Sequence, residues 1–95
     1  MTESMPGAPE PSLSFLFYSL GTQGMVSLGL VEDPRGGETK RDLTQAKYSI
    51  DLLEMLKEKT EGNRTEEETK ILLSLLFDLR MKYVEASRSG GGAKG

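Results

Sequence analysis

The last helical segment of this chain, from Thr65 to Val84, carries apolar side chains around most of its circumference. At about 100° per residue, Ile71, Leu72, Leu73, Leu75, Leu76, Phe77, Leu79, Met81, Tyr83 and Val84 cover an arc of roughly 240–280°. Only Ser74, Asp78, Lys82 and Glu85 form a steadily polar sector. A helix of a small bundle needs an apolar stripe of only about 100–150°. Such an arc therefore demands more cover than two short neighbours supply.

The start of that helix is marked by Thr65 and Glu68, a T-x-x-E capping box, with Glu66 and Glu67 where the macrodipole favours acid. Arg80 and Lys82 lie toward its other end, and Glu66–Lys70 and Asp78–Lys82 are spaced for i,i+4 pairing. A second helix is expected from Asp42, a capping residue with Gln45 as reciprocal partner, to the stop at Gly62-Asn63. Leu43, Ala46, Ile50, Leu53 and Leu56 line one face, and Tyr48, Leu52 and Met55 a neighbouring one. That apolar arc is about 240°, leaving Lys47, Asp51, Glu54 and Glu58 for water.

The first segment has no charge at all between Pro11 and Val31. Leu13, Leu16, Phe17, Leu20, Gly24 and Leu28 follow a helical rhythm, which predicts a helix over Ser12 to Leu28 with Gly29 just past its end. Its glycines weaken that helix by about 1 kcal/mol each relative to Ala, and Met25 to Val31 reads equally as a strand. The uncharged run is no membrane span, because Thr22, Gln23, the glycines and serines and the lack of basic flanks oppose it.

Of the 95 residues, 1–11 read as a disordered proline-containing arm, 12–86 as one helical domain and 87–95 as a flexible Gly/Ser tail. The 32–41 connection, with Asp33-Pro34 and Gly36-Gly37, is turn chemistry. The fold expected is all-α: a helical hairpin plus an uncharged N-terminal helix, intertwined or packed as a homodimer.

Composition removes most chemistry. With no His and no Cys there is neither the commonest general base, nor a thiolate metal site, nor a disulfide. A net charge of −3, from 15 acidic and 12 basic residues, gives no electrostatic case for nucleic acid. Glu66-Glu67-Glu68 is explained by capping, since successive helical residues do not converge on one metal. No catalytic, cofactor or metal residue is assigned, and no enzyme is expected. The first eleven residues hold Glu3 and Glu10 but no basic residue, so they lack a signal-peptide pattern, and a cytoplasmic protein is expected.

What the residues do suggest is assembly. The excess apolar surface favours a homo-oligomer, a dimer first, with the first helix buried between protomers, over a compact monomer. The candidate interface is Leu13, Leu16, Phe17, Leu20, Gly21, Gly24, Leu28, Phe77, Arg80 and Val84. Arg80 falls inside the apolar arc, so it either forms an interhelix or interprotomer salt bridge or snorkels at an edge with a wet guanidinium. Gly21-x-x-Gly24 suits close helix packing. Alternatively, it could floor a site for an apolar ligand such as an acyl chain. An unidentified protein partner is a further expectation.

The blocks A-K-Y-S-I-D-L-L-x-M-L-x-E-K-T-x-G-N and L-L-x-D-L-R-M-K-Y-V resemble a family of small bacterial proteins, the domain of unknown function 1844. The resemblance spans about Leu13 to Val84 and matches Ala46, Asp51, Lys59, Gly62, Asn63, Asp78, Arg80 and Tyr83; Gly21-Thr22 departs from an alanine-rich first segment. It implies a bacterial, cytoplasmic, helical domain and carries over no catalytic residue.

Overall fold

The computed structural model describes residues 11–32, 36 and 41–88. The sequence's expected arm before Pro11, the tail beyond Arg88 and most of the 32–41 connection lie outside those residues. Three helices follow in order: α1 (Leu13–Ser27), α2 (Leu43–Lys59) and α3 (Glu66–Ala86). Each touches the other two, and the described residues contain no strand.

Local chemistry fixes the ends. Ser12 caps α1 by accepting from the Phe15 N–H at 3.0 Å. At the other end Gly29, with φ +80°, donates to the Val26 carbonyl while Leu30 donates to Met25, the double bond of a Schellman motif. That motif decides the strand-or-helix question: Met25 to Ser27 completes α1, and Leu28 to Val31 turns away from it. Only a residue that tolerates the left-handed conformation fits at position 29.

Asp42 caps α2, its carboxylate accepting from the Gln45 N–H at 3.1 Å. The reciprocal half of the expected capping box is replaced. The Asp42 N–H is already engaged with the Ser27 carbonyl at 2.7 Å, which ties the start of α2 to the end of α1. For α3 both halves of the Thr65–Glu68 box form. The helix runs two residues past the expected Val84.

The core joins all three helices. Phe17 and Leu28, at and just past α1, meet Ala46, Ile50 and Leu53 of α2 and Leu72, Leu76, Leu79 and Ala86 of α3. Leu13, Leu20, Leu43, Leu56, Ile71, Leu75 and Tyr83 pack around them half-buried. Phe17 has no exposure at all within one copy. The hairpin of α2 and α3 thus covers the Phe17, Gly21 and Gly24 face of α1 within one copy, while Phe15, Leu16 and Tyr18 stay exposed.

Candidate interaction surface

The surface that stands out is the outer face of α3, and its position depends on how the α2–α3 turn is held. Arg64 does this. Its side chain retains only 8% of its exposure, with Nη1 donating to the Lys57 carbonyl at 2.7 Å and to Thr60 Oγ1 at 3.0 Å. Nε donates to Thr69 Oγ1 at 3.0 Å, so one planar fork binds the last turn of α2 and the first turn of α3 together. Thr60 Oγ1 in turn donates to the Leu56 carbonyl at 2.7 Å. Arg64 is not among the sequence-derived candidates. The signal available was its place just beyond a helix C-terminus, where orphan carbonyls seek a cation.

With the hairpin fixed, α1 lies against both of its helices through its small residues. A Cβ on Gly21 would come within 2.8 Å of Leu75 Cδ2. One on Gly24 would come within 2.8 Å of Leu79 Cδ2 and 3.5 Å of Ser49 Cβ. Both glycines thus serve close helix approach. The space considered for an acyl chain is filled by the chain's own Leu75 and Leu79, which any ligand there would have to displace.

This packing uses one side of α3 and leaves the other uncovered. Leu73, Phe77, Met81 and Val84 are all exposed, Phe77 to 63%. Spaced by four, four and three residues, they fall within an arc of about 80° and along roughly 16 Å of helix. A stripe near that width is what a helix buries when it packs on a neighbour. Arg80 sits at its margin with about half its side chain exposed, paired to Glu54 of α2. The pair is interhelical, and the Arg80 side chain stays half-exposed rather than buried.

The sequence-derived interface residues separate into two groups. Phe17, Gly21, Gly24 and Leu28 are buried inside the single chain, and Leu13 and Leu20 are half-buried against its core. Leu16, Phe77, Arg80 and Val84 face outward. Leu73 and Met81 complete the outer stripe; they were visible as part of the apolar arc but not as its uncovered portion.

Elsewhere, Tyr18 of α1 and Glu66, Glu67, Lys70, Ile71, Ser74, Leu75 and Asp78 of α3 line an open groove. A smaller recess lies by Leu28, Leu30 and Arg41, where Arg41 reaches the Ala86 carbonyl at 3.5 Å. Among the described residues no group of three acidic side chains is placed to hold a metal ion. No described helix is long and apolar enough to cross a membrane. The i,i+4 ion pair on α2 is Lys47–Asp51 at 3.1 Å, exposed on both sides.

A family model described as a domain of unknown function (DUF1844) matches residues 10–85. No curated protein and no solved structure matches the chain.

Proposed function

The chain belongs to the DUF1844 family, and on that premise we propose that it is a non-enzymatic helical module that self-associates through the outer face of α3. The single observation that carries this reading is the exposed row Leu73, Phe77, Met81 and Val84. Its spacing is that of a packing helix, yet none of the described helices lies on it. Covering what each of these side chains still exposes would contribute on the order of 1 kcal/mol apiece. That magnitude supports association that grows with concentration, and a two-fold dimer is the simplest closed form. A cysteine-free chain is compatible with the bacterial cytoplasm, where we place it.

Native mass spectrometry of freshly purified protein separates this reading from a small-molecule carrier. Clean multiples of the chain mass are expected. A reproducible additional mass on the single chain, lost on denaturation, would replace self-association with ligand binding as the main activity.

A further inference from the structure

Composition singles out one residue type on this chain for oxidation. It has no cysteine and no tryptophan, so its five methionines are the side chains a mild peroxide attacks. Met1 and Met5 precede the described residues. Met25 is half-buried against the core, whereas Met55 on α2 and Met81 on α3 keep 41% and 47% of their surface exposed. Of these, Met81 alone belongs to the exposed row, one turn beyond Phe77. Leu73, Phe77 and Val84 carry no group that such an oxidant converts. The polarity of this face therefore hangs on a single sulfur.

Oxidation changes what the face can bury. The thioether sulfur attacks a peroxide oxygen, an S–O bond forms as the O–O bond breaks, and water leaves. Sulfur gives up two electrons and the peroxide takes them. The product is a polar, chiral sulfoxide where the thioether was apolar and pliant. Burying it without a hydrogen-bond donor is costly, and Leu73, Phe77 and Val84 have no side-chain donor to offer. In an isologous pair every contact occurs twice, so the penalty counts twice. Resting on the self-association proposed above, we infer that Met81 is a reversible oxidation site that controls it. Hydrogen peroxide disperses the pair, and a methionine sulfoxide reductase restores it, a dithiol giving up two electrons to become a disulfide while the sulfoxide oxygen leaves as water. The linkage is reciprocal, because a side chain covered by a second copy is shielded from the oxidant.

Peroxide footprinting combined with light scattering tests this. The native chain is treated with hydrogen peroxide over a series of protein concentrations, and the sulfoxide at each methionine is followed by peptide mass mapping. Met81 should oxidise about tenfold more slowly where only about a tenth of the chains remain single than in dilute protein. Met55, outside the row, should keep one rate throughout and serve as the internal standard. Once Met81 is oxidised, the dissociation constant should rise about a hundredfold. Met81→Leu, which keeps the volume and loses the sulfur, should stay paired after the same treatment.

Full pairing by chains that carry the Met81 sulfoxide, or equal loss of pairing by oxidised Met81→Leu, would overturn the switch while leaving self-association in place. A native chain that pairs without slowing the oxidation of Met81 would move the contact off this face, overturning this inference and the surface assigned above. A single-chain mass for the unoxidised native protein at every concentration would overturn self-association itself, and the switch with it.

Discussion

Leu72 and Leu76 on α3 are almost without exposure, whereas Leu73 and Phe77, each one residue further round the same helix, keep about half their surface or more. Nothing in side-chain type separates the pairs. The difference is that α1 and α2 lie on one side of α3, α1 drawn close by Gly21 and Gly24, and neither reaches the other side. Apolar character therefore describes what a helix can bury, while the neighbours decide what it does bury. The outer half of α3 is left with the pattern of a packing face and no packing partner among the described residues.

The sharpest way to break this contrast is to delete mass from the inner face. Leu79→Ala removes a fully buried side chain that also fills the space beside Gly24. Chemical denaturation at low protein concentration should show a loss of about 2–5 kcal/mol. A loss below 1 kcal/mol would mean that the inner face is not the core.

Arg64→Ala comes next. It strips the turn of a nearly buried guanidinium and leaves the Lys57 carbonyl and two threonine hydroxyls without that donor. The expected cost is about 2 kcal/mol. Arg64→Lys should recover little of it, because an ammonium cannot serve both helices at once. Full recovery in the lysine variant would show that charge alone, not the fork, joins α2 to α3.

At the margin between the faces the effect should be smaller. Arg80→Met breaks a half-exposed pair with Glu54, and thermal unfolding should register under about 1 kcal/mol. On the outer face, Phe77→Ser should change the stability of the isolated chain by less than about 0.5 kcal/mol. A loss as large as that of Leu79→Ala would erase the distinction between the two sides.

Much of this architecture was legible from the residues. Gly29, Asp42 and the Thr65–Glu68 box mark helix ends because capping is local chemistry, settled within a few residues. Long-range choices were not legible. That the Asp42 N–H bonds Ser27 rather than the Gln45 side chain depends on how α1 meets α2. That Phe17 and Gly24 are covered by the chain's own helices depends on the hairpin folding back over α1. Arg80 illustrates the limit most plainly. Its place in the arc announced a need for a partner, but only the packing of α2 beside α3 selects Glu54.

Size-exclusion chromatography with light scattering, run over a concentration series, tests self-association through α3 most directly. The native chain should climb with concentration toward twice its mass of 10.4 kDa, while Phe77→Asp should stay near the single-chain value. A native mass that remains at 10.4 kDa throughout the series would contradict it.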